Sequence, residues 1–151
     1  METFEPRDDA FRSRVTQSFG GQPFIKFIGG ELTRVEAGAV DIALAFKGEL
    51  AQQHGYVHGG VITAIADAAA GYAALTLAAA GHGVLTTELK VNFLRPAGRG
   101  RLEARGRVIK PGRSLTVCQT DVVELGESGE RHVLTGLVTM IFMEGLKAVS
   151  Y

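Results

Sequence analysis

Tryptophan is absent and cysteine occurs once, as Cys118. A single thiol excludes an intrachain disulfide and a thiolate zinc cluster, and it suits a reducing compartment. Charge of one sign is missing as well: sixteen Lys and Arg balance sixteen Asp and Glu. Such a chain is not built globally to sit on nucleic acid or on an anionic membrane. The opening METFEPRDDAFRSRV is charged throughout and lacks the apolar core of a secretory signal, so a cytoplasmic location is expected. No repeat, low-complexity linker or composition break marks a second domain. Residues 1–151 therefore read as one domain, with 1–23 as an N-terminal helix and lead-in.

Common chemical signatures are missing too. There is no G-x-S-x-G elbow and no G-x-x-x-x-G-K-[ST] phosphate loop, and GHGVLT keeps only the first two glycines of a dinucleotide fingerprint. His54 and His58 have the spacing of helical metal ligands, but Gly55, Gly59 and Gly60 argue against a helix there and no Glu follows His54. No metal is expected. Cys118 lies in an alternating run with no His near it in sequence, the setting of an inert buried thiol.

From Val61 to Ala80 the only ionisable groups are Asp67 and the Tyr72 phenol. That length approaches the roughly 20 residues of a membrane span. The stretch is rich in Ala and Gly rather than Leu or Phe, however, and no Lys or Arg lies between Lys47 and Lys90 to anchor it. A buried helix of a water-soluble domain fits better, ending at AAAGHG with Gly81 as a left-handed cap. Its start at His58-Gly59-Gly60 has no Ser, Thr, Asp or Asn cap, which leaves backbone N–H groups in search of acceptors.

Strands surround this helix. GAVDIALAFKG places Val40, Ile42, Leu44 and Phe46 at period two, and ELKVNFLRPA does the same with Leu89, Val91 and Phe93. Three further runs follow between Arg101 and Phe142, punctuated by hairpin turns at Pro111-Gly112 and Gly126 to Gly129. A first strand falls around Glu31 to Glu36, preceded by an irregular GGQPFIKFIGG and a short helix from Asp8 to Phe19. The expected class is α+β, one antiparallel sheet wrapped about one long helix. A sheet covers only part of such a helix, so the remaining face needs a partner.

Asp67 has Thr63, Ala64, Ala70 and Gly71 at the i±3 and i±4 positions, which leaves a hollow beside its carboxylate. The plain alternative is that Asp67 faces solvent on the helix's one wet side. A carboxylate in a hollow, with free N–H groups and a positive dipole at the helix start, suits attack on a carbonyl and stabilisation of its oxyanion. The two parts lie about two turns apart, roughly 10 Å. One carbonyl cannot touch both, so the Asp67 of one chain is expected to serve the helix start of another.

QQHGYVHGGVITAIADAAAGYA, then TTELKVNFLRPA, then KPGRSLTV, together resemble the hotdog-fold acyl-CoA thioesterases of the phenylacetate-degradation (PaaI-like) branch, over about Phe24 to Phe142. The H-G-G, the aspartate nine residues after the His and the strand ending in R-P-A recur in register. This resemblance implies dimers pairing into dimers of dimers, homotetramers that hydrolyse acyl-CoA at the dimer interface. It implies no cofactor beyond the coenzyme A of the substrate. By the same resemblance Asp67 is the general base or nucleophile and the Gly59 amide is the main oxyanion donor, with Gly60 beside it. Thr86 would help hold the attacking water, with Thr87 an adjacent alternative, and His58 would orient the loop or the carbonyl. Many relatives have Asn where Gln52 stands, and Gln53 rivals Gln52 for that role. The simpler reading of His58 and Gln52 is that they satisfy loop backbone groups.

Seven basic residues, Arg95, Arg99, Arg101, Arg105, Arg107, Lys110 and Arg113, fall within nineteen positions that hold one acid, Glu103. Arg101, Glu103, Arg105 and Arg107 share a strand face and read as its solvated side. Arg113, with Ser114 in the same turn, is the better candidate to contact coenzyme A, because the resembling family often places such contacts there. Interleaved aromatics are lacking, so no nucleic-acid partner is expected. Two rival readings share the architecture: a hotdog-fold hydratase or dehydratase, and a non-catalytic acyl-CoA sensor, which has no use for Asp67.

Overall fold

The computed structural model describes residues 3–146. The expected bounds 1–151 thus include residues 1–2 and 147–151, outside the described part. Six strands form one sheet: β1 (Gly30–Glu36), β2 (Ala39–Leu44), β3 (His82–Phe93), β4 (Arg101–Pro111), β5 (Leu115–Gly126) and β6 (Gly129–Glu144). Every neighbouring pair is antiparallel, in the order β1-β2-β4-β5-β6-β3. The central helix α3 (Gly59–Leu75) packs on one face, and two short helices, α1 (Phe11–Gly20) and α2 (Pro23–Ile28), precede the sheet. This is the hotdog arrangement expected from the sequence, an antiparallel sheet curved around one helix.

Alternation fixes which face the helix takes. Ile42, Ala104, Val122 and Leu134 are register neighbours across β2, β4, β5 and β6, and all are buried. Beside them run Val40, Gly106, Thr120 and Gly136. The helix sits very close over this second row. A Cβ on Gly106 would lie 2.1 Å from the Ala69 carbonyl oxygen, and the buried Thr120 hydroxyl donates to the Ala66 carbonyl at 2.9 Å. Gly106→Ala is therefore expected to cost roughly 3 kcal/mol, lowering the melting temperature by about 6–12 °C. Thermal denaturation checks this, and an unchanged midpoint would mean that the helix can ride higher than it stands here.

Three elements differ from the sequence reading. PFIKFI is a helical turn rather than an irregular entry, with Pro23 in its first turn and Gly29 closing it at φ 88°. Helix α1 begins at Phe11 rather than Asp8, because the Asp8 carboxylate accepts the Ala10 N–H in a turn that precedes it. Helix α3 ends at Leu75, well before Gly81, which serves instead the turn into β3 at φ 78°. The cause is tertiary. Thr76 donates to the Ala73 carbonyl and accepts from Gly38 N–H of the β1–β2 turn, at 2.6 and 2.7 Å. The Arg14 guanidinium of α1 then takes the carbonyls of Leu75, Ala78 and Ala79.

The sheet leaves part of α3 uncovered. Ala64, Asp67, Ala68 and Gly71 form a half-buried stripe along the helix. Beside it runs β3, whose outer edge has no strand against it among the described residues. Leu89 and Phe93, on the helix side of β3, remain 36% and 51% exposed. No helix among the described residues is long and apolar enough to cross a membrane.

Candidate active site

Asp67 lies midway along α3, and the Thr86 hydroxyl of β3 donates to its Oδ1 at 2.8 Å. The approach depends on a β-bulge. Leu89, Val91 and Phe93 face the helix at odd positions, and strict alternation would turn Thr87 inward. The register with β6 shifts between Thr86 and Glu88, so that Thr86 stands beside the buried Met140 on the helix side. Thr87 is turned away and donates to the Thr139 carbonyl at 3.0 Å. Burial pushes the Asp67 carboxyl above its usual range, and the Thr86 hydrogen bond partly offsets that rise. A cavity of about 790 Å³ holds the pair, lined also by Gly71, Tyr72, Val84 and Met140 and by Ser18 of α1.

The start of α3 carries the second part. His58 is the N-cap: its Nδ1 accepts the Gly60 N–H at 2.9 Å, and its carbonyl accepts Val61 and Ile62 N–H. An accepting Nδ1 puts the proton of a neutral ring on Nε2. The helix start is therefore not uncapped, as the missing Ser, Thr, Asp or Asn suggested, because an imidazole does that work. Gly60 N–H is consumed by it. Gly59 N–H has no acceptor among the described residues, and Gly59 lines a groove of about 340 Å³ together with Gln52, Tyr56, Phe93 and Pro96. Gln52 lines this groove while its Oε1 accepts the His54 N–H. Gln53 is exposed, against His54 Nε2 at 3.3 Å, and is not part of the groove wall.

Asp67 and Gly59 N–H stand eight residues apart on one helix, about 12 Å. The Asp67 cavity and the Gly59 groove share no lining residue. Within one chain, the carboxylate and the free amide open on separate cavities.

Arg113 and Ser114 occupy the β4–β5 turn and line neither cavity. Ser114 accepts the Phe142 N–H at 2.9 Å through its carbonyl. Their turn lies at the Thr86 end of the sheet, since Thr116, Met140 and Thr86 are register neighbours. Arg113 makes no ion pair among the described residues. By contrast Arg101 pairs with Glu31, Arg105 with Glu103 and Glu130, and Arg107 with Asp41. Cys118 is fully buried, and burial pushes its thiol up to about 12, as suits an inert side chain. Two contributions had no sequence signal: the imidazole cap, because His is rarely an N-cap, and the bulge, which no Gly marks.

The model of the thioesterase superfamily matches residues 54–128, a span that runs from the Gly59 groove past Asp67 and Thr86. A solved thioesterase family protein from Silicibacter pomeroyi superposes with a TM-score of 0.87 at 36% identity, covering 89% of this chain and 99% of that one. A Saccharolobus solfataricus protein that carries an esterase name is 36% identical over 105 residues, 70% of this chain and 69% of its own. The E. coli PaaI protein from the phenylacetic acid degradation operon shares the fold, with a TM-score of 0.82 at 18% identity over 92% of this chain and 97% of that one.

Proposed function

The chain belongs to the thioesterase superfamily, and from that premise we propose that it hydrolyses acyl-CoA thioesters at a site completed by two copies of itself. The observation that carries the reading is the separation of Asp67 from Gly59 N–H, each in its own cavity. A two-fold pairing of the open β3 edges would run the strands antiparallel. The Thr86 end of one then meets the Phe93 end of the other, and with it the partner's groove. Leu89, Phe93 and the half-buried stripe of α3 supply apolar surface for that contact.

The chemistry follows from what each half offers. The thioester carbonyl oxygen points at Gly59 N–H and the positive end of α3, which stabilise negative charge as it develops. Asp67 takes a proton from a water held by Thr86, and the water oxygen bonds to the carbonyl carbon. Collapse of the tetrahedral adduct breaks the C–S bond, coenzyme A leaves and takes up a proton, and the free acid remains. Direct attack by Asp67 through a mixed anhydride uses the same groups. The acyl group occupies the cavity beside Gly71 and Tyr72, and Arg113 and Ser114 reach the coenzyme A end. Dimers would pair further into a dimer of dimers in the cytoplasm.

Release of free coenzyme A from phenylacetyl, benzoyl, medium-chain and long-chain thioesters tests this reading. Many turnovers per chain on at least one substrate are expected. Binding without release across the panel would remove acyl-CoA hydrolysis and favour a sensor.

Titration offers a second check. Only ionised Asp67 accepts a proton, so kcat/KM should rise with pH, with its midpoint above the ordinary carboxylate value of about 4. Thr86→Val removes the one influence that lowers this pKa. Its midpoint is expected to move further toward alkaline pH; a pH–rate profile with a midpoint shifted down, or unmoved, would separate Thr86 from Asp67.

A further inference from the structure

Glu124 lies on β5, 5% exposed, and takes no part in the chemistry above. Its carboxylate is given over to backbone. Oε1 accepts Gly100 N–H at 2.8 Å, Oε2 accepts Gly98 N–H at 3.1 Å, and Arg131 on β6 also donates to Oε2. Burial pushes the carboxyl up, but the guanidinium and the two amides outweigh it and hold the group below its usual range. Neutral pH thus finds it ionised and accepting. The glycines of RPAGRG make the approach possible: a Cβ on Gly100 would stand 2.7 Å from Glu124 Cγ, and one on Gly98 3.0 Å from Oε1.

The other end of this turn faces the Gly59 groove. Leu94, Arg95, Pro96 and Ala97 form part of its wall. The carbonyl of buried Ala97 accepts Val57 N–H at 3.1 Å, and His58 N–H, one residue on, donates to the Leu50 carbonyl at 2.8 Å. The backbone just before Gly59 is therefore held on two sides, one of which ends on Glu124. We propose that Glu124 is a positioning residue for the oxyanion donor: it fixes the turn 94–100, whose Ala97 carbonyl fixes Val57 and so the direction of Gly59 N–H. This rests on the role given to Gly59 above. A donor mis-aimed by a fraction of an ångström loses stabilisation of the transition state while the ground-state thioester still binds.

Glu124→Gln keeps the volume, replaces an acceptor oxygen by an NH2 that opposes an amide N–H, and removes the ion pair. We expect kcat to fall by about 10- to 100-fold while KM moves less than about threefold. Gly98→Ala presses the turn away from Oε1 without touching the core, and should lower kcat in the same direction with a near-normal melting temperature. Arg105→Gln, which removes outer-face ion pairs with Glu103 and Glu130, controls for lost stability and should keep wild-type kcat. If Glu124→Gln does not fold, Gly98→Ala decides. Wild-type kcat in Glu124→Gln and Gly98→Ala beside an inactive Asp67→Asn overturns the positioning role alone. Wild-type kcat in Asp67→Asn overturns the reading of the site, and the positioning role with it.

Discussion

Asp67→Asn is expected to abolish turnover, by about 10³-fold or more, with thioester binding retained. The change removes both basicity and nucleophilicity and nearly conserves volume, and the amide can still accept the Thr86 hydrogen bond. Its effect on stability should have the opposite sense. Burial raises the folded-state pKa of Asp67 above its ordinary value, so the folded chain holds this proton more tightly than the unfolded one. Below the ordinary value both states are protonated and nothing is lost. As pH rises from there through the raised pKa, stability declines, and at neutral pH the ionised group sits at a cost. The asparagine carries no charge there, so the variant should melt at the same temperature or higher. Steady-state release of coenzyme A and thermal denaturation at neutral pH measure the two sides. A dead variant that also melts much lower would make the loss structural, and one that keeps near-normal rates would assign the chemistry elsewhere.

Removing the other half should be nearly as severe. Gly59 is the first residue of α3, where Pro is well tolerated, and His58 before it is already extended at φ −61° and ψ 134°. Gly59→Pro therefore deletes one N–H and leaves the helix intact. The nearest atom to a new Cβ is Cζ at the tip of the Phe93 side chain, at 3.2 Å, so the ring has to give by only a few tenths of an ångström. Loss of a single oxyanion donor should lower kcat by about 10²- to 10³-fold. Co-expressing Gly59→Pro with Asp67→Asn then tests whether the halves belong to different chains. Random pairing makes half of the dimers hybrids, and each hybrid keeps one intact site of two if Asp67 serves the partner's Gly59. Activity should return to about a quarter of wild type. If Asp67 and Gly59 of the same chain worked together, no hybrid would contain an intact site and the mixture would stay inactive.

Most of the fold was legible because burial writes a period into the chain. Val40, Ile42 and Leu44, or Leu89, Val91 and Phe93, alternate in sequence as their side chains alternate between the faces of the sheet, although β2 ends before Phe46 and is buried at all six of its positions. The turns at Pro111-Gly112 and Gly126 to Gly129 punctuate β4, β5 and β6 where expected. Short elements were less legible. PFIKFI is too brief for a helical period to show, and only its Pro and Gly flanks mark it. The end of α3 is hidden from the sequence for another reason: Leu77 and Ala78 continue the apolar stretch, while the contacts that stop the helix at Leu75 come from Arg14 and Gly38, distant in sequence.

For the site, the sequence by itself determined that one carboxylate stands in a stretch of small apolar residues, and that glycines flank the helix start. Those facts fix Asp67 and Gly59 about 12 Å apart on a single helix, because helical rise is a local property of the backbone. Tertiary structure decided the rest. A bulge in β3 chose Thr86 over Thr87, an imidazole took up Gly60 N–H and left Gly59 free, and the fold of residues 50–58 put Gln52 rather than Gln53 on the groove. Each of these turns on register or on a hydrogen bond between residues whose choice of partner depends on the folded backbone around them. A pattern read along the chain cannot carry that information, because a shift of one residue in a strand exchanges its two faces without changing its composition.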